Sequence, residues 1–126
     1  MIFFIFTLSG YADVHLIATR ECSFNTVDYQ TVKKFFMKKS TMYQETPLEV
    51  LDNKDCYNQF TIKFMKKNPT KMNIYWTRMI FTGTRKPPKK ISEEKLLQLE
   101  PPKDTCLLSY TTADTIKGWK TVHVVP

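Results

Sequence analysis

Two histidines, three cysteines and one adjacent pair of glutamates are the side chains best suited to acid/base, nucleophilic or metal chemistry, and their spacing gives none of them a recognisable frame. A nucleophile needs a base within reach, yet His15 and His123 stand near opposite ends, with no Gly-x-Ser-x-Gly, P-loop or His-Glu-x-x-His pattern anywhere. His123, flanked by valines, reads as a structural or surface histidine. Glu93 and Glu94 are neighbours, and adjacent residues of a helix or strand do not converge on one point; they read as solvated. Cys22, Cys56 and Cys106 contain no C-x-x-C pair and match no zinc spacing. The sequence therefore predicts a protein that is not an enzyme, with no catalytic residues, no metal and no cofactor.

Recognition is what remains, and its material is aromatic and basic. The stretch Cys56 to Phe81 reads as the two central strands of an antiparallel sheet. Phe60, Ile62 and Phe64 alternate with Thr61 and Lys63, the period of a strand with one wet face. Asn68-Pro69 then reads as a reversal, because proline cannot donate to a sheet ladder. The return run from Met72 is rich in aromatic and β-branched residues, with Ile74 and Trp76 on one face and Tyr75 on the other.

The rest of the chain is read around that pair. Thr26 to Met37 predicts a short helix, with Val32, Phe35 and Phe36 at helical spacing, Asp28 or Thr26 as cap, and lysines late, where the dipole favours cations. Asp13 to Ile17 carries no firm assignment. Ser40 to Thr46 is extended up to Pro47, Leu48 to Leu51 continues it, and Asp52-Asn53-Lys54-Asp55 reads as a turn. Ile91 to Glu100 fits a capped helix or a strand equally. Thr105 to Thr111 and Trp119 to Val125 read as strands. The expected fold is mainly β, an antiparallel meander or partial barrel with a short N-terminal helix.

A chain of 126 residues has room for one domain and one modest core. Nineteen Lys and Arg against 12 Asp and Glu leave a net charge of +7, which favours acidic partners. The pairs Lys33-Lys34, Lys38-Lys39 and Lys66-Lys67 read as solvated surface. Arg85, Lys86, Lys89 and Lys90 are the one cluster dense enough for a docking patch. Met1 to Ala12 has no charged side chain and reads as a secretory signal peptide, too short to span a bilayer, which needs about twenty apolar residues. Residues 13–126 would then be one secreted, extracellular domain. There the cysteines are expected to pair, and three leave at least one over. A basic β-surface bearing Tyr75, Trp76 and Phe81 could stack bases, but a secreted protein meets sulfated polysaccharide or acidic lipid sooner than nucleic acid, which is not expected as a partner.

The order of these features resembles one family. A helix ending Val32-Lys33-Lys34-Phe35-Phe36 precedes extended Ser40 to Thr46; Cys56 opens the next element, Ile74-Tyr75-Trp76-Thr77-Arg78 follows, and Leu97-Gln98-Leu99 leads to Asp104-Thr105-Cys106. This resembles the salivary lipocalins of ticks over Thr31 to Tyr110. The family's Gly-x-Trp signature and its usual tryptophan in the extended segment are absent, and with about six strands ending at Pro126 the chain reads as a truncated or divergent member. The resemblance implies that Cys56 and Cys106 each pair with cysteines further on, which are missing; they could pair with each other, or one with Cys22. It also implies a lipocalin-like domain that captures a small hydrophobic or amine ligand inside a barrel, and in some members a host protein. No amine-binding carboxylate transfers residue by residue. The expected pocket is instead physical, the apolar faces Phe60, Ile62, Phe64, Ile74 and Trp76 with Tyr110 as polar handle, since ligand cavities are largely apolar with a few placed polar groups. The second expectation is a basic surface-binding protein with no internal ligand, which meets a glycosaminoglycan or a host protein through Arg85 to Lys90.

Overall fold

The run His15-Leu16-Ile17-Ala18-Thr19 forms strand β1 (His15–Thr19), and all but its first residue are buried. A strand buried on both faces reads as a continuous apolar run without alternation, which is why the segment gave no strand signal in the sequence. The computed structural model describes residues 13–114 and 116–126, and the signal-peptide reading of Met1 to Ala12 lies outside them. Strand β1 lies at the centre of a mixed sheet, antiparallel to both neighbours: Leu16 faces Tyr110 of β6 (Cys106–Thr111) on one side and Val122 of β7 (Trp119–Val125) on the other. Strand β2 (Thr26–Asp28) runs parallel to β7 at one edge. Beyond β6 comes β4 (Thr46–Asn53), parallel to it, whose outer side is paired first by β3 (Met42–Tyr43) and then by β5 (Lys89–Ile91). Among the described residues seven strands in one open path from β2 to β3, with β5 beside β4, and four α-helices make a mixed α/β fold; the expected β-rich character is roughly met, the sheet includes parallel pairings that an antiparallel meander lacks, and no barrel is shown.

The alternation of the central strands builds two cores. Leu16 and Ala18, Leu48 and Val50, Leu108 and Tyr110, and Val122 point to one side, where they meet the helices α1 (Tyr29–Phe36), α2 (Tyr57–Phe60), which runs on as a π-helical turn over Thr61–Met65, and α3 (Pro69–Phe81). Ile17, Leu51, Leu107 and Trp119 point to the other side, onto Leu96 of α4 (Glu93–Gln98) and Ile116. Three layers result, with the sheet in the middle.

Helix α1 stands where the helical spacing predicts it, with the Asp28 carboxylate accepting from the Thr31 amide 2.7 Å away and Val32, Phe35 and Phe36 buried. The stretch from Cys56 to Phe81 is the largest correction. It holds no strands. Asn68-Pro69 starts a helix: the Asn68 side chain accepts from the Lys71 amide and Pro69 takes the first turn, where its missing N–H costs nothing. Substituting such a cap typically costs about 1 kcal/mol. Met72, Tyr75, Trp76 and Met79 then form a helical stripe against the core. Phe60 and Phe64 satisfy a two-residue alternation and a four-residue helical repeat alike, and the deciding residue is Ile62 between them, which is 60% exposed.

Cys22 and Cys106 form a disulfide, their Cα atoms 4.6 Å apart, which leaves Cys56 as the odd, buried thiol. Burial first, then the nearby Glu93 and Asp55, push that thiol up to about 12, so it stays protonated and unreactive. Glu93 is not freely solvated as expected. Its carboxylate accepts from the Asn53 side-chain amide and the Thr111 hydroxyl, the latter at 2.7 Å, while the Glu93 amide donates to Asp55, so that α4 is fastened to the ends of β4 and β6.

Candidate functional site

Strand β4 carries Leu48, Val50 and Asp52 on the face that meets the helices, so the alternation that buries two apolar side chains buries a carboxylate after them. Asp52 is 3% exposed. The Tyr110 hydroxyl donates to its Oδ1 at 2.8 Å and is the one hydrogen-bond partner of this carboxylate among the described residues. Burial, against the opposing effects of that hydrogen bond and of Lys90 and Lys38, pushes its pKa up from 3.8 to about 6. Tyr110 pays the complementary cost, since its burial and the adjacent Asp52 raise its phenol far above the ordinary range.

Asp52 lines a cleft of about 530 Å3 between the end of β4, the start of α2 and the outer side of α3, within the size range of small-molecule sites. Trp76 and Ile80 from α3, with Pro87 and Pro88 from the segment before β5, form apolar walls. Tyr57, Asn73, Thr77 and Lys90 contribute polar atoms. Pro88 is buried and Trp76 is 6% exposed, so these walls are held by packing. The Lys90 ammonium lies 4.3 Å from the centre of the Tyr57 ring, a cation seated on an aromatic face beside a buried carboxylate. The Tyr57 phenol is pushed up to about 12, by burial first and then by Asp52. Chemically the arrangement offers one negative charge, one positive charge from Lys90 and two aromatic surfaces, that of Tyr57 covered by Lys90, in a partly dry recess.

The residues expected to line a pocket divide three ways. Trp76 does line this cleft. Phe60, Phe64 and Tyr110 are core: Phe60 stacks on Tyr110 with centroids 3.7 Å apart and contacts Phe64 and Phe36 at 5.4 and 4.6 Å, which leaves no room for a guest among them. Ile62 and Ile74, at 60% and 53% exposure, are on the outside of helices, so no shared face unites the six. The expected basic patch is divided as well. Arg85 donates to the Tyr75 hydroxyl and the Met79 sulfur, Lys90 belongs to the cleft, and Lys86 and Lys89 are exposed. Asp52 itself was missed because Asp52-Asn53-Lys54-Asp55 has the composition of a turn. The available signal was its place two residues beyond Val50 and four beyond Leu48.

Among the described residues no group of three or more His, Cys, Asp or Glu side chains is placed to hold a metal ion, and no helix is long and apolar enough to cross a membrane. The Cys22–Cys106 disulfide fits an extracellular protein. No family model matches the chain, and no curated protein matches it.

Proposed function

We propose that this chain is a secreted binding protein that captures a small organic cation, an amine on an aromatic or apolar body, in the cleft bounded by Asp52, Tyr57 and Trp76. The observation that carries this reading is the Asp52 carboxylate, almost wholly buried and held by one hydroxyl, at the wall of a recess that mixes apolar and aromatic walls with the polar groups of Tyr57, Asn73, Thr77 and Lys90. A buried acid lowers stability unless something gains from it, and titratable groups perturbed by burial within a cleft concentrate at functional sites. The Lys90 ammonium on the Tyr57 face occupies the place a ligand's ammonium would take, so an amine binds in competition with it. The ligand would lie against the outside of α3 rather than within a barrel. The reading therefore serves a divergent relative of the tick salivary lipocalins and an unrelated α/β protein alike.

The test is calorimetric titration with histamine and with serotonin, accompanied by tryptophan fluorescence for histamine. Trp76 lines the cleft and Trp119 is buried in the opposite layer, so saturable quenching is expected in the native chain and not in Trp76→Phe. Histamine affinity should fall about tenfold per pH unit below pH 6, because protonation of Asp52 removes the counter-charge. Lys90→Met, which vacates the Tyr57 face, should strengthen amine binding. Loss of binding in that variant, or no heat with either amine at millimolar concentration, would sink the reading.

A further inference from the structure

The pairs Lys33-Lys34 and Lys66-Lys67, 33 residues apart in the sequence, do not remain apart in the fold. Phe36 of α1 packs on Phe60 at 4.6 Å and Tyr29 on Phe64 at 5.8 Å, and this docking of α1 on the π-helical turn brings Lys33 and Lys34 beside Lys66 and Lys67. Three neighbouring surface depressions show the continuity. One, of about 210 Å3, is lined by Gln30, Lys33, Lys34, Met37, Lys39 and Lys67. The second shares Gln30 and Lys33 with the first and adds Lys66 beside Asp28 and Tyr29. The third shares Lys66 and Lys67 and extends to Ile62 and Lys71. All 12 Asp and Glu side chains of the chain are among the described residues, Pro126 lines the second depression as well, and the one salt bridge found among the described residues is Asp13 to Lys63, so these six ammonium groups carry no ion-pair partner within 4 Å. Asp28, the acid within the field, already accepts from the Thr31 amide.

We infer that Lys33, Lys34, Lys39, Lys66, Lys67 and Lys71 form a docking surface for a linear sulfated polysaccharide, separate from the cleft and independent of what the cleft binds. The charge density fits a polyanion, and the residue choice selects among polyanions. All six are lysines, compact point charges that meet an anionic chain without reading it, and arginine, whose planar fork suits bidentate recognition of nucleic acid, is absent from the surface. Tyr29, the aromatic ring in this region, packs on Phe64 and has the Lys66 ammonium 4.5 Å from its centre, so it offers no free face for a base to stack on. The large apolar side chains that are exposed lie elsewhere than on α1, and Ile62 is the one of them that lines these depressions, so a lipid surface would find a single apolar anchor here. The disulfide fits the compartment in which sulfated polysaccharides are met.

Heparin-agarose chromatography of the full chain in a NaCl gradient tests this. Lys33→Gln, Lys34→Gln, Lys66→Gln and Lys67→Gln together remove four charges from the surface. Lys54→Gln, Lys86→Gln, Lys89→Gln and Lys103→Gln remove four exposed charges elsewhere. The first variant is expected to elute well before the native chain, with the slope of log affinity against log salt reduced by about three, near 0.7–0.9 per lost contact by counterion release. The control should change by less than one. Equal shifts in the two variants would show that net charge alone is read and overturn the assignment. It is overturned too if single-stranded DNA displaces heparin at equal charge, or if phosphatidylserine vesicles bind the chain while heparin does not.

Discussion

Asp52→Asn is expected to cost roughly 100-fold in histamine affinity while making the free protein more stable at pH 7. The two effects have one origin. Taking away one partner of a desolvated charge pair costs about 2–5 kcal/mol of binding, and the 100-fold stated, about 2.7 kcal/mol, lies in the lower part of that range. The same charge is a liability to the empty protein: the Asp52 pKa rises from 3.8 to about 6, so the folded state holds its proton more tightly than the unfolded chain does. That contribution is fully present below about pH 4 and is lost as pH climbs through 6, after which the penalty stays constant. Two pKa units correspond to at most about 3 kcal/mol. Asparagine keeps an acceptor for the Tyr110 hydroxyl and removes the charge. Urea unfolding at pH 4.5 and 7.5 should therefore show a gap between variant and native protein that opens toward neutral pH by about 2 kcal/mol. A gap independent of pH, or a variant destabilised at pH 7.5, would mean that Asp52 serves the fold and not the cleft.

Removing the disulfide, in Cys22→Ala/Cys106→Ala, is expected to lower the unfolding free energy by roughly 4 kcal/mol. The bridge joins residues 84 apart and so closes most of the chain into a loop in the unfolded state. It also anchors the segment after β1 to the first residue of β6, whose antiparallel pairing supplies the centre of the sheet. Urea midpoints of the two proteins under non-reducing conditions decide the matter. A loss under 1 kcal/mol would show that the sheet holds this geometry without the link.

What could be read beforehand follows from how each signal arises. Helix α1 was legible because a capping aspartate, a helical apolar stripe and late lysines agree with one another over Asp28 to Phe36. Strands β6 and β7 were legible from alternation. The stretch from Cys56 to Phe81 misled because Phe60 and Phe64 suit either period and Asn-Pro opens helices as readily as it turns chains; the stripe Met72, Tyr75, Trp76 and Met79 was the better evidence. Strand β1 was hidden by burial on both faces. Of the cleft, Trp76 was read as a ligand-facing side chain and Asp52 was not, since its partner Tyr110 is 58 residues away and nothing local distinguishes a buried acid at a strand end from an ordinary turn. The lysine surface was illegible for the same reason: its two halves meet only through aromatic packing between distant helices.

The covalent link from Cys22 to Cys106 encloses α1, α2, α3 and α4, and with them both the cleft and the lysine surface. A protease that nicks any one peptide bond between these two positions therefore frees no piece. The severed halves stay tethered and share the buried sheet, so a singly clipped molecule retains the means to hold its shape until a reductant arrives.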